Sequence, residues 1–336
     1  MRALVATLLV CFACTGAQAQ QARKSLNERD VTVEARAFSG FSVFDSAKKQ
    51  FGKLTFLGGL ELRAADPEFG GISSALIDAD GKGFVAISDH AHWIMGRFTA
   101  ENEVLTGVEQ VRIAPMIAPN GRRMKDMRWF DSEGLTRLGR HFYVSVERTH
   151  DIFRFDTANG RPSGRGALIE VPKAMKGLNG NQGVEALGVI PAQSPSAGAL
   201  IAIAERAPRA APSDDIPGWL IGGKGAGAFR VKRIGAFDVT DLGFLPGGDL
   251  LILERRFTPF FGLGFRIRRV ALASIASGAV LDGEVLVEAD LGQQIDNMEA
   301  LMIHKAANGK IILTLMSDDN FSLLQRNLVL RFAMDE

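Results

Sequence analysis

Cysteine is almost missing from this sequence, and its position excludes several kinds of site. The chain has two cysteines, Cys11 and Cys14, and both lie in an apolar stretch at the N-terminus. Residues 1–19 combine a basic start, a short apolar run and a small-residue ending, which is the layout of a cleavable signal peptide. We expect cleavage after Ala19, which leaves no thiol for a disulfide, a nucleophile or a metal site.

Long apolar runs and a charge excess are also missing. No stretch reaches the roughly 20 apolar residues that span a bilayer, and a formal net charge of +1 provides no basic surface for nucleic acid. The sequence has no Gly-x-Ser-x-Gly elbow, phosphate-binding loop or paired-histidine helix. We therefore expect a periplasmic or secreted monomer without a membrane span or a nucleic-acid partner.

Helical periodicity is sparse, and a repeat of short strands takes its place. Five units are visible, and each has β-branched or aromatic strands separated by turns such as Pro246-Gly247-Gly248-Asp249. This pattern predicts an all-β fold, a single-domain β-propeller over residues 54–336, preceded by a lead-in at 20–53. Six blades are favoured, the sixth formed by 54–63 and C-terminal strands, with five and seven left open.

Two acidic positions recur in step with the repeat. The first, at the entry to a unit, is filled by Glu133, Glu185, Asp241 and Glu299, with Ser74 as the counterpart in the first blade. The second, at the end of the second strand, is filled by Asp89, Glu147, Glu205, Glu254 and Asp318. Carboxylates at equivalent places in successive blades point to one axis, where a cation or protons must offset their repulsion. Oxygen-only ligands favour Ca²⁺ over Mg²⁺ or Mn²⁺, so the entry acids are expected metal ligands.

Glutamate-arginine pairs follow three of the strands. In each pair the arginine fork suits an anion, and a salt bridge between blades is the alternative role. We expect Arg148, Arg206 and Arg255, with Glu205, to bind the substrate. Glu147 or Glu254 is expected to orient the attacking water.

Two further clusters complete the expected site. Asp318 and Asp319 lie in a Ser-Asp-Asp-Asn-Phe segment with the composition of a cation-binding loop, and we assign both to the metal. His90 follows Asp89 and is expected to reach the same rim as a ligand or a general acid. A solvated turn explains either cluster without a function.

These segments together resemble the bacterial family called "esterase-like activity of phytase". The most specific pieces are DSEGL at 131–135, SVER at 145–148, TDLGFLPGGDLLILERRF at 240–257, and DNMEAL at 296–301 followed by SDDNFSLLQRNLVLRF at 317–332. Two positions depart from the expected pattern. Ala300 replaces a glycine, and His90 stands where an arginine is expected.

The resemblance implies a propeller that hydrolyses phosphoesters or carboxyl esters. Combined with the acidic positions, it predicts a metal-dependent hydrolase of an anionic small molecule. Two alternatives stay open at this point. One is a non-catalytic propeller that binds a ligand or partner around a structural cation, and the other is a sugar-lactone hydrolase.

Overall fold

Short strands make up almost all of the regular structure. The computed structural model describes residues 27–180, 182–258 and 262–334, and the predicted signal peptide lies outside them. In this part of the chain, helical structure is limited to 3₁₀ turns at Met124–Asp126, Glu147–Thr149, Lys173–Gly177 and Leu272–Ser274. None of the described helices is long and apolar enough to cross a membrane.

The strands are numbered in chain order. They are β1 (Arg29–Asp30), β2 (Val33–Phe38), β3 (Gln50–Phe51), β4 (Leu54–Ala64), β5 (Ile72–Ile77), β6 (Gly83–Ser88), β7 (His92–Glu101), β8 (Val104–Pro115), β9 (Ser132–Leu138), β10 (His141–Val146), β11 (Asp151–Ala158), β12 (Arg161–Leu168), β13 (Val184–Val189), β14 (Leu200–Ala204), β15 (Ile216–Ile221), β16 (Gly227–Val231), β17 (Asp238–Phe244), β18 (Leu250–Thr258), β19 (Gly262–Val270), β20 (Val280–Leu281), β21 (Glu284–Asp290), β22 (Asn297–Lys305), β23 (Ile311–Asp318) and β24 (Asn327–Met334).

The strands form five small antiparallel sheets, the blades of a β-propeller. From the innermost strand outwards, blade 1 is β5-β6-β7-β8-β1, blade 2 is β9-β10-β11-β12, and blade 3 is β13-β14-β15-β16 with β20 parallel at its edge. Blade 4 is β17-β18-β19-β21, and blade 5 is β22-β23-β24-β4-β2, with β3 also paired to β4. The innermost strands lie side by side in the order β5, β9, β13, β17, β22 and back to β5, which closes the ring.

The expectation of six blades is wrong. The segment expected to form a sixth blade is β4, and it pairs with β24 in register from Leu54 opposite Met334 to Leu62 opposite Asn327. Blade 5 therefore combines both ends of the chain and closes the ring without a further sheet. The lead-in also contributes strands, because β2 pairs with β4 and β1 pairs with β8.

The hydrophobic core is divided among the interfaces between neighbouring blades. Separate buried clusters join blades 1 and 2, blades 3 and 4, blades 4 and 5, and blades 5 and 1. Between blades 1 and 2, the fully buried Trp93 meets Phe155 edge to face, with ring centroids 5.1 Å apart. The side chains that face the central channel do not have to supply this core, so they are available for chemistry.

Candidate functional site

Each innermost strand carries a β-bulge at the same height in the ring. The register shifts by one residue at Ser73, Glu185, Thr240 and Glu299, and Glu133 with Gly134 lies opposite Ser145 alone. A bulge inserts one residue without a ladder partner and redirects its side chain. We call the residues at this level the bulge ring, and its members are Ser73, Glu133, Glu185, Thr240 and Glu299.

The bulge ring differs from the repeat inferred from sequence in two blades. Asp241 and Ser74, which were aligned with the glutamates, each follow the bulge by one residue. Their side chains meet across the ring, with Ser74 Oγ 3.3 Å from Asp241 Oδ2. Asp241 also accepts hydrogen bonds from the backbone N–H of Leu242 and of Leu301, so its carboxylate is already occupied and is a poor candidate for a metal ligand.

A second ring lies at the ends of the second strands. Strand pairing and the adjoining backbone hydrogen bonds place four acids and one arginine at equivalent positions, which we call the strand-end ring: Asp89, Glu147, Glu205, Arg255 and Asp318. In blade 4 the pairing of Arg255 with Asp238 gives the arginine this position. The repeat inferred from sequence had placed Glu254 at this position.

Glu254 faces away from the channel because successive strand residues point to opposite faces. Its fully buried carboxylate accepts two hydrogen bonds from Arg268, at 2.6 and 2.9 Å, and a further one from Arg266. In this position Glu254 does not face water in the channel, contrary to the expectation that it orients the attacking water. The structure assigns Glu254 a part in a buried ion network inside blade 4.

The two rings bring carboxyl groups into contact. Asp131, Glu133 and Glu147 form one group of acidic residues, and Glu147, Glu185 and Glu205 form another. Within each group, one oxygen per residue lies within 4.8 Å of the others. Glu147 belongs to both groups and accepts a hydrogen bond from the Gly183 N–H at 3.2 Å. These oxygen-rich groups could hold a metal ion.

The carboxyl groups also shift one another's protonation. Burial, followed by repulsion from neighbouring carboxylates, holds the pKa of Glu133 and of Glu185 well above its usual value. Burial is also the largest cause at Glu147 and Glu299, whose pKa values rise to about 7. The pKa of Asp89 rises to about 6. Without a cation, carboxyl groups of this site hold protons at neutral pH. Such a set of oxygen donors fits a divalent ion.

Arg255 is the cation of the strand-end ring. Its Nη1 donates to Asn297 Oδ1 at 2.5 Å and lies 3.2 Å from Glu299 Oε1, while Nη2 lies 3.6 Å from Glu205 Oε1. Glu299, Glu185 and Glu205 raise the pKa of Arg255 above its ordinary value, so the guanidinium stays charged. Of the arginines expected to bind substrate, Arg255 has the least exposed side chain, and it is the one that belongs to the strand-end ring.

The other two arginines lie further out on the rim. Arg206 Nη2 is 2.7 Å from Glu205 Oε1 and 2.8 Å from Asp238 Oδ2. Arg148 donates to Asp131 at 2.8 Å and stacks over the ring of Phe130, so it positions Asp131. The structure therefore separates one central arginine from two that flank it.

The loop after β23 is organised by its own aspartates. Asp318 accepts from Asn297 Nδ2 at 3.2 Å and from the Asn320 N–H, and its pKa is raised well above the usual value by burial and by Asp89 and Glu299. Asp319 points the other way, to the Gly71 N–H and Asn327 Nδ2. Asp318 thus joins the rings, whereas Asp319 is engaged in holding the loop to blade 1.

His90 lies at the same rim but does not belong to either group of acidic residues. Its ring stacks on Phe321, with centroids 4.0 Å apart and the planes 8° from parallel. Burial and the neighbouring Lys125 lower the pKa of His90, so the imidazole is neutral at pH 7. The structure keeps His90 near the site without a contact to the carboxyl groups.

The structure adds several residues to the site residues that were predicted from sequence. Asp131 is the third member of one group of acidic residues. Its backbone is left-handed, with φ at 63°, and turns the chain into β9. Its signal was the Asp of the DSEGL segment. Asn297 links Arg255, Glu299 and Asp318 through its amide. Thr240 had no signal, because its equivalence to the glutamates depends on the bulge register.

A groove adjoins the site on the side of blades 4 and 5. Its volume is about 850 Å³, and Arg255 and Asn297 form the end nearest the carboxyl groups. Arg206 flanks this end, and the rest of the groove is lined by Arg326 and by apolar side chains, among them Phe257, Leu263, Leu291 and Leu324. The site is therefore connected to a cavity of the size that binds small molecules.

Together, the closed ring of sheets and the acidic mouth of its channel define a five-bladed β-propeller with a candidate metal centre. The chain belongs to the family described as esterase-like activity of phytase, whose model matches residues 67–321. A comparison with curated protein sequences gives no match.

Several solved structures are similar to the chain at low identity. Glutaminyl cyclase from Myxococcus xanthus is 12% identical, with 80% of this chain and 92% of that chain covered and a TM-score of 0.40. The PQQ-bound aldose sugar dehydrogenase from Streptomyces coelicolor is 11% identical, with 85% and 99% covered and a TM-score of 0.44. A hypothetical protein from Leishmania major is 10% identical, with 81% and 87% covered and a TM-score of 0.43.

Proposed function

We propose that this chain is an exported, metal-dependent hydrolase of an ester or phosphoester bond in a small anionic molecule. One observation carries the proposal: two groups of acidic residues that share Glu147 lie beside the half-buried side chain of Arg255. A cation on the carboxylates and a fixed arginine next to it suit an anion whose bond is to be broken. The family match supports an ester as the substrate.

Ca²⁺ is the ion that the donor set favours. Glu133, Glu147 and Glu185 are the proposed ligands, with Asp131 and Glu205 completing the two groups. All of the donors are carboxylate oxygens, which hard cations prefer, and no cysteine or histidine belongs to either group. When bound, the ion would polarise the ester oxygen and lower the pKa of water.

The protein's own residues would bind the anion and accept a proton. Arg255 and Arg206 face the groove and would hold the charged part of the substrate. Glu299 lies outside both groups of acidic residues. Its pKa of about 7 allows it to take a proton from water at neutral pH. We assign it this role in place of Glu147, which lies among the proposed ligands.

Export is the second part of the proposal. It is supported by the signal-peptide layout of residues 1–19. Expression of the full chain in a Gram-negative host, followed by mass spectrometry of the periplasmic fraction, tests it. A mature N-terminus at Gln20 is expected, and an intact chain found only in the cytoplasm contradicts export.

Hydrolysis is tested with p-nitrophenyl phosphate, p-nitrophenyl acetate and phytate, each with Ca²⁺ and with EDTA. We expect turnover of at least one substrate, lost in EDTA and restored by Ca²⁺. No turnover under any metal condition contradicts the enzyme. If EDTA then lowers the melting temperature, the ion has a structural role in a non-catalytic binding protein.

A further inference from the structure

Three exposed apolar side chains line the groove beside the site. Phe257, Leu291 and Leu324 line it and are 78%, 60% and 94% exposed. Single exposed apolar residues are ordinary, but several around one cavity mark a binding surface. Burying these side chains against a ligand would recover apolar surface that the folded chain leaves in water.

The other end of the groove is cationic and polar. Arg255 and Asn297 connect it to the carboxyl groups, and Arg206 flanks them. The Nε of Arg206 is buried and has no hydrogen-bond partner in the described part of the chain. The groove therefore offers donors for an anion at one end and apolar contacts at the other.

The third arginine of the groove is already engaged. Arg326 donates to the Ile295 carbonyl at 2.9 Å and to Gln294 at 3.0 Å, and its backbone N–H donates to Asp296. Its charge helps to hold the wall between β21 and β22 in place. Arg255 and Arg206 also pair with carboxylates, but they lie at the end of the groove near the carboxyl groups, so an anion bound at that end meets these two arginines.

We propose that the groove binds the apolar part of an amphiphilic substrate, an anionic ester with an alkyl, acyl or aryl group several carbons long. The anionic group lies at Arg255 and Arg206, and the apolar group lies along Phe257, Leu291 and Leu324. This inference rests on the proposed function and specifies its substrate class. The volume of about 850 Å³ accommodates a molecule much larger than acetate or inorganic phosphate.

Binding of non-hydrolysable n-alkylphosphonates tests the inference independently of turnover. Methyl-, butyl- and octylphosphonate are titrated calorimetrically into the mature protein with Ca²⁺, below the concentration at which the ligands aggregate. Each added methylene that becomes buried should tighten binding about three- to fourfold. The same ligands carry the same charge, so the trend reports the apolar contact alone.

Matched variants locate that contact. Leu324→Ser should flatten the dependence on chain length and leave methylphosphonate binding unchanged. Leu168→Ser is the control, because Leu168 is also exposed but lies on the outer strand of blade 2. Arg206→Gln should weaken binding of all three ligands by a similar factor.

The outcomes separate this inference from the hydrolase proposal. Affinity that does not depend on chain length, or a dependence unchanged in Leu324→Ser, overturns the groove assignment even if the protein hydrolyses esters. Binding of no phosphonate at all overturns both the groove and the anion site. Sedimentation with phosphatidylglycerol vesicles that exceeds octylphosphonate binding overturns the small ligand in favour of a membrane surface. A chain-length dependence without any hydrolysis supports the groove and leaves the enzyme refuted.

Discussion

The guanidinium of Arg255 lies 3.2 Å from the carboxylate of Glu299 in the neighbouring blade. Four blades place an acid at the strand-end position, and only blade 4 places an arginine there. A buried charge left without its partner costs about 3–5 kcal/mol. Arg255 therefore balances part of a strongly acidic channel mouth, and the remaining carboxylates are left for a cation.

Removing this arginine should make the protein dependent on metal or protons. Arg255→Gln is expected to lower the free energy of unfolding in EDTA at pH 8 by about 3–5 kcal/mol, with much of the loss recovered in Ca²⁺. Urea denaturation measures both. Arg148→Gln is the control, because that half-exposed pair should cost about 1 kcal/mol or less. Equal losses in the two variants would contradict the balancing role.

Neutralising the shared glutamate should have two opposite effects. Glu147 belongs to both groups of acidic residues, so Glu147→Gln removes one negative charge that the two groups share. The substitution should therefore raise the melting temperature of the metal-free protein at pH 8. It should also weaken Ca²⁺ binding by more than the roughly 10- to 100-fold cost of losing an outer-shell partner. Glu109→Gln, at an exposed position of β8, should change neither quantity. A metal-free protein destabilised by Glu147→Gln would contradict the repulsion.

Stability of the metal-free protein should fall as pH rises. Glu147 and Glu299, with pKa values of about 7, bind protons when folded that the unfolded chain releases at lower pH. The free energy of unfolding then decreases through the folded pKa. Histidines with a lowered pKa, such as His92 at about 4, oppose this trend below their ordinary 6.5. Urea midpoints in EDTA between pH 6.5 and 8 should therefore decline, and Ca²⁺ should reduce the decline.

A rise in the metal-free midpoint across that window would contradict the raised pKa values. The Glu147→Gln variant supplies the internal control for this measurement. Because it has one titrating carboxyl fewer, its midpoint should fall less steeply than that of the parent protein.

Glu254 should behave as a structural residue. Glu254→Gln leaves Arg266 and Arg268 without their buried carboxylate, so the expected loss is about 3–5 kcal/mol in the free energy of unfolding. The Ca²⁺ affinity of the protein that remains folded should be unchanged. A variant of normal stability that has lost only its activity would return Glu254 to the site.

The sequence was informative about blades because each blade is local in the chain. Strand, turn and repeat signals identified five units, and each of them corresponds to the inner strands of one blade. The count failed at β4, which lies more than 200 residues from its partner β24. The expected pairing with a C-terminal strand is present, but it adds β4 to blade 5 and forms no sixth sheet. Strand pairing over such a separation is a tertiary property.

The sequence predicted which segments carry the candidate site, but it did not predict which residue of each segment faces the channel. Glu254 and Arg255 are adjacent, so a slip of one residue exchanges the channel face for the buried face. Bulges cause the same ambiguity at Thr240 and Asp241. In contrast, Glu133 and Glu185 occupy equivalent places because blades 2 and 3 have a bulge at the same position.

Calcium titration of the EDTA-treated protein at pH 7 tests the central claim most directly. Calorimetry in two buffers of different ionisation enthalpy gives both the affinity and the number of protons released. The carboxyl rings predict saturable binding with a Kd below about 1 mM, accompanied by proton release because the ligands hold protons in the free protein. No saturable binding up to about ten times that concentration, or binding without proton release, would contradict it.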